Sequence, residues 1–270
     1  MCLDCPGKPS QQPGATHIPP EAKALDDPAI AHGPISFANG DMSINGYIAR
    51  SLSRAPARAV IITHGNAGLP EDMCNVAAQL AQVGLVGLLL DPTSRTPDPR
   101  TLSRDFLMSY GYLKVLMSDI QAAMAYLKHT PDVLPDGVGL LGFCGGGVLN
   151  LLFAATQPTG VRAVVALYAP PRVTPGTNSA SDPRPDMITF VPQLTMPIQY
   201  HVGTADTFIP PHDLQEFETV LHRQPITAEV YRYPGAGHGF YHYSYPDEYQ
   251  PQAAEQARQR MCAFFQRYLG

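Results

Sequence analysis

Residues 138–155 read VGLLGFCGGGVLNLLFAA, and their order decides the fold. Val138–Gly142 reads as a strand. Val148–Ala155 is apolar and reads as a helix. Between them stands Gly142-Phe143-Cys144-Gly145-Gly146, a G-x-C-x-G pattern. This is a nucleophile elbow with Cys in place of Ser, a sharp strand-to-helix turn that strains the nucleophile's backbone and lifts its side chain above the sheet. Close packing around such a turn demands small flanking residues. The helix that follows aims its N-terminus at the site, where free N–H groups and the helix dipole favour a thiolate. The N–H of Gly145 becomes one oxyanion donor. Two other readings compete. Buried cysteines are often inert core residues. Glycine-rich turns also bind dinucleotides, but the G-x-G-x-x-G spacing fails here, and no acidic residue stands about 20 positions on, where Arg162 and Ala163 fall.

Strand and helix patterns alternate on either side of this stretch. Ile35–Phe37 and Ser43–Ala49 suit a hairpin around Asn39-Gly40. Ala59–Thr63 is a buried strand, and Pro70–Val83 is a helix with proline in its first turn. Leu85–Leu90 is a strand ending in Asp91-Pro92, and a helical region ends near His129. Ala163–Tyr168, Ile198–Gly203 and Ala228–Tyr233 are further strands, with helices expected over Pro211–Arg223 and Ala253–Tyr268. This alternation predicts an α/β fold with a mostly parallel central sheet and helices on both faces. Residues 1–34, rich in Pro, Gly, Gln and Ala, read as an N-terminal extension, and residues 35–270 as one domain.

In open α/β sheets the site lies beyond the carboxyl ends of the strands. Two more segments place reactive residues there. His201-Val-Gly-Thr-Ala-Asp206-Thr-Phe-Ile-Pro210 follows one strand, and Tyr233-Pro-Gly-Ala-Gly-His238-Gly-Phe240 follows the last. Asp206 taken singly is equally a turn residue, and His238 a surface-loop histidine. Together with Cys144 they form the order nucleophile, acid, histidine, each directly after an expected strand. His238 is then the base, and Asp206 orients it.

Bulk composition limits the alternatives. The 270 residues carry a formal net charge of -5, with 15% charged residues. No dense basic patch points to nucleic acid. No run reaches the roughly 18 apolar residues of a membrane span. The first residues, MCLDCPGKPSQQPG, lack a signal-peptide pattern, so a cytoplasmic location and mostly reduced thiols are expected for the five cysteines. Cys2 and Cys5 form a lone C-x-x-C with no second pair or suitable histidine. His201 reads as a core residue. His212 and His222 have a spacing unsuited to a shared metal, and Cys74 and Cys262 read as packing residues within helices.

The stretches GLLGFCGGG, VGTADTFIP, YPGAGHGF and AVIITHGNAG together resemble the dienelactone hydrolase family, from about Val60 to the C-terminus. The resemblance implies the α/β-hydrolase fold and a Cys-His-Asp triad. It also implies ester or lactone hydrolysis through a thioester, with no metal and no organic cofactor. Family members that cleave dienelactone carry a Glu after the strand matching Ala59–Thr63, where it helps hold the thiol protonated. Gly65 or Asn66 stands there in this chain. His64-Gly65 looks instead like the oxyanion turn of ordinary α/β-hydrolases, which makes the N–H of Asn66 the second oxyanion donor. The family also grips a substrate carboxylate with two arginines. One aligns with Arg95, and the other falls at His242. Phe240 and Tyr241, within an aromatic cluster that includes Tyr243 and Tyr245, either line the pocket or cover the sheet edge.

The expected partner is a small-molecule ester or lactone, with neither nucleic acid nor membrane, and the expected assembly is a monomer or homodimer. Two other functions use the same scaffold: an acyltransferase or lactone-forming cyclase, and a non-catalytic binding protein. Pro92–Ser103 and Pro170–Leu194 are long, proline-rich loops suited to be lids.

Overall fold

A computed structural model describes residues 24–53, 55–65, 68–96, 109–173 and 185–270. Cys2, Cys5 and Asn66 lie outside these residues, as do parts of both lid candidates.

Among the described residues, eight strands form one sheet: β1 (Ile30–Asn39), β2 (Met42–Ser51), β3 (Ala57–Thr63), β4 (Val86–Leu90), β5 (Val133–Phe143), β6 (Val161–Leu167), β7 (Ile198–Gly203) and β8 (Ala228–Tyr233). Their spatial order is β1-β2-β4-β3-β5-β6-β7-β8. β1 and β2 form an antiparallel hairpin, and β2 is antiparallel to β4. From β4 onward every pairing is parallel. Single strand-to-strand crossovers leave no other choice, because each helix must carry the chain back to the starting edge.

The interior strands show why the apolar runs lack alternation. Val60, Ile61, Ile62, Leu140 and Leu141 are all fully buried, as expected where helices cover both faces. β1 lies at the sheet edge and alternates between covered and exposed positions. It begins at Ile30 and pairs with β2 from Ile30↔Ser51 onward. The sheet therefore includes residues before 35. Pairing with β2 supplies the backbone hydrogen bonds that the weak apolar pattern of residues 30–34 does not advertise.

Among the described residues, six helices connect or cover the strands: α1 (Glu71–Gln82), α2 (Tyr110–Lys128), α3 (Gly145–Ala155), α4 (Met187–Phe190), α5 (Pro211–His222) and α6 (Pro251–Leu269). Pro70 caps α1 from an extended conformation, and Pro211 opens α5. Both suit a residue whose missing N–H costs a helix start nothing. The short α4 and the 3₁₀ turn after it were not visible as a period, since four residues are one turn. No described helix is long and apolar enough to cross a membrane.

Candidate active site

The carboxyl ends of β5, β7 and β8 bring three side chains together. Cys144 stands between β5 and α3 with φ 52° and ψ -119°, a conformation that costs a non-glycine residue of order 1–3 kcal/mol. Its surroundings hold it there. Cys144 N–H donates to Leu167 O at 2.9 Å, and Thr63 Oγ1 donates to Gly146 O at 3.0 Å. Gly142 and Gly146 permit the turn by close approach. A Cβ on Gly142 would lie 2.5 Å from Gly147 Cα, and one on Gly146 would lie 2.3 Å from the backbone carbon of Thr63.

Asp206 follows β7. One carboxylate oxygen accepts from Phe208 N–H at 2.8 Å and fixes its own loop. The other accepts from His238 Nδ1 at 2.9 Å. The loops after β7 and β8 are also joined through their backbones, with Thr204 N–H on Tyr233 O and Ala205 N–H on Ala236 O, each 2.9 Å. His238 Nε2 then stands 3.1 Å from Cys144 Sγ. Burial opposes a charge on His238, but the Cys144 thiolate and the Asp206 carboxylate outweigh it and raise its pKa to about 10. This arrangement supports a thiolate–imidazolium pair at neutral pH.

Gly145 opens α3, and its backbone N lies 3.2 Å from where a Cβ on Gly65 would be. The β3 turn thus presses against the elbow. The second expected donor, Asn66, lies outside the described residues.

The candidate substrate groups have other partners. Arg95 forks onto Asp119, with Nη2 on Oδ1 at 2.6 Å and Nε on Oδ2 at 3.0 Å. Asp119 is buried in α2 and also accepts from Asn39 at 2.8 Å. His242 is buried, with Nδ1 2.8 Å from Asp72 Oδ2. Burial opposes the charge on Asp72, but His242 outweighs it and holds that carboxyl below its ordinary range. Phe240 has no exposed surface and packs between Tyr168 and Tyr233. Tyr241 is buried and donates to Gln79 Oε1 at 2.9 Å. Of the two roles open to Phe240 and Tyr241 from sequence, lining the pocket or covering the sheet edge, their burial favours the second.

Sequence reasoning missed the element that receives this loop. Asp72, Asn75 and Gln79 recur at helical spacing on α1, and all three are buried. Polar residues at that spacing ordinarily mark a water-facing stripe. Here two of them hold Tyr241 and His242, a few residues beyond His238. Tyr168 was missed as well. It follows β6 with φ 38° and is completely buried. Its ring meets His238 edge-on at 5.1 Å, and its hydroxyl has no hydrogen-bond partner. Burial, then the nearby Cys144 and Asp72 charges, push that phenol well above its ordinary pKa.

His201 lies inside β7, buried, with Nδ1 2.8 Å from Tyr233 Oη and Nε2 2.8 Å from Gln199 Oε1. Burial lowers its pKa to about 3, so it is a neutral core residue. Cys74 and Cys262 are buried free thiols with pKa values pushed up by burial to about 12 and about 11. Among the described residues no group of three or more His, Cys, Asp or Glu could hold a metal ion.

The model of the dienelactone hydrolase family matches residues 44–269. The chain belongs to the dienelactone hydrolase family. This is a hydrolase family acting on lactones and esters. A Bradyrhizobium sp. relative named for 2-oxo-3-(5-oxofuran-2-ylidene)propanoate lactonase activity is 33% identical over 227 residues, covering 80% of this chain and 88% of that one. A Synechocystis sp. relative bearing the name carboxymethylenebutenolidase is 29% identical over 246 residues, covering 87% and 96%. Among solved structures, a Klebsiella pneumoniae protein designated a dienelactone hydrolase superposes with TM-score 0.77 at 24% identity, covering 89% of this chain and 100% of that one. These family members share the α/β-hydrolase fold described above.

Proposed function

We propose that this member of the family hydrolyses carboxylic esters or lactones of small molecules through a covalent thioester on Cys144. The observation that carries the reading is the continuous contact Cys144 Sγ–His238 Nε2–His238 Nδ1–Asp206 Oδ2, at 3.1 and 2.9 Å.

The thiolate of Cys144 attacks the substrate carbonyl carbon, and the carbonyl π pair moves to oxygen. Gly145 N–H and, from sequence, Asn66 N–H meet that oxyanion, each such donor being worth about 3 kcal/mol. The C–O bond to the leaving group breaks as the oxyanion collapses. The leaving oxygen takes the Nε2 proton of His238. Water then attacks the thioester carbonyl and gives its proton to the neutral His238. Cys144 leaves as thiolate and the acid is released. Asp206 holds Nδ1–H in place, so that Nε2 always faces the sulfur.

A panel of p-nitrophenyl esters and small lactones tests the reading. Wild type is expected to turn over at least one of them and to gain the acyl mass on Cys144 when quenched early. Cys144→Ala is expected to show neither. Turnover retained by Cys144→Ala overturns the role of that residue. No turnover and no acylation by wild type across the panel overturns the hydrolase reading.

A further inference from the structure

Among the described residues, the arginines at the carboxyl edge of the sheet are engaged by carboxylates. Among the described loops there, after β3, β4, β5, β6, β7 and β8, no lysine occurs and the arginines are Arg95 and Arg172. Arg95 forks onto the buried Asp119. Arg172 is held by three carboxylates at once: Nε on Asp186 at 3.0 Å, Nη1 on Asp213 at 2.6 Å and Nη2 on Glu216 at 2.9 Å. His242 meets Asp72. His238 already faces both Asp206 and Cys144. Each cluster is therefore balanced or carries an excess of negative charge. Glu248 adds another carboxylate against the His238 loop, with Oε2 2.5 Å from where a Cβ on Gly239 would stand. The groups flanking the His238 ring are aromatic, with Phe208 at 4.6 Å and Tyr168 at 5.1 Å between ring centroids.

We infer that the substrate's acyl group is uncharged, so that this enzyme takes neutral esters or lactones and discriminates against those bearing a carboxylate near the scissile carbonyl. The inference rests on the hydrolase reading and adds the substrate class. A carboxylate entering beside Cys144 would find no unengaged cation among the described residues. It would also approach the Asp206 carboxylate, whose charge the single imidazolium of His238 must share with the thiolate. Desolvating a carboxylate without a partner is costly, whereas an ester or alkyl chain enters an aromatic wall at little cost. Arg100, Arg104 and Arg184 lie outside the described residues, so the wild-type enzyme with its whole chain is the proper test.

The experiment uses a matched pair: mono-p-nitrophenyl glutarate and its methyl ester, which share leaving group and chain length. At low ionic strength kcat/KM is expected to be about tenfold or more higher for the neutral ester, and the gap is expected to narrow in high salt as the repulsion is screened. A ratio below about threefold, or one unaffected by salt, overturns the inference, because charge is then not the basis of selection. Turnover of the anion at the same or a higher rate leaves the hydrolase reading standing while removing this one. Turnover of neither, with no acylation of Cys144, removes the hydrolase reading and this inference with it.

Discussion

His242 Nδ1 and Asp72 Oδ2 meet at 2.8 Å, 170 positions apart in the chain and with both side chains buried. The contact ties the loop that carries His238 to α1. Removing Asp72 leaves the buried His242 ring without this hydrogen-bond partner, which costs about 1–3 kcal/mol. Asp72→Ala is expected to lose stability on this scale in urea denaturation. A change under about 1 kcal/mol would show that the pair carries little.

The pH dependence of Cys144 follows from His238. A pKa raised from 6.5 to about 10 means that the imidazolium proton is retained through neutral pH and lost only as pH climbs toward 10. The thiolate is then present well below the ordinary thiol range of about 8.5. Alkylation of Cys144 by iodoacetamide is expected to be nearly flat between pH 7 and 9. In His238→Ala it is expected to be slower at pH 7 and to rise about tenfold per unit, as for a free thiol. Parallel pH profiles for the two proteins would contradict the ion pair.

Above about pH 10 the same imidazole no longer has a proton for the leaving oxygen. Ester turnover is therefore expected to fall through that region while alkylation of the thiolate does not. Stopped-flow measurements kept short of alkaline unfolding check this, and a parallel decline of both rates would argue against His238 as the proton donor.

Tyr168 carries a buried hydroxyl without a hydrogen-bond partner. A buried unsatisfied polar group costs about 1–3 kcal/mol. Tyr168→Phe keeps the ring against His238 and is expected to leave stability unchanged or raise it by about 1 kcal/mol. A fall in kcat without any loss of stability would assign the hydroxyl to the reaction instead of to packing.

Gly146 lies where a Cβ would come within 2.3 Å of the Thr63 backbone. Gly146→Ala must displace either β3 or the elbow. Its expected result is poor folding, or a folded protein with Cys144 no longer aligned to His238, read as loss of rapid alkylation at pH 7. Wild-type alkylation in a folded Gly146→Ala protein would mean that the turn is looser than its packing implies.

The legibility of this molecule varies with the range of the interaction involved. The strands β3 and β4 and the strand leading into the elbow announce themselves locally, through continuous apolar runs. The placement of Cys144, Asp206 and His238 at strand ends follows from the same rule, since a parallel sheet collects all its carboxyl ends on one edge. β1 was visible only in part, because an edge strand with one covered face has a weak apolar pattern. Asp72, Asn75 and Gln79 carry no local sign of burial, because a buried polar stripe and a solvated one have the same periodicity.

Arg95 and His242 mark where local reading ends. Their positions in the family pattern are plain from the chain, but Asp119 and Asp72 become their partners only through packing of α2 and α1 against distant loops. Residue order alone thus settled the class of fold, the elbow and the succession of Cys144, Asp206 and His238, because strand patterns and turn chemistry are written over a few neighbouring residues. Tertiary packing alone decided which charges remain for a substrate. Whether a cation is engaged or open depends on a carboxylate delivered from elsewhere in the chain, and no local pattern records that meeting.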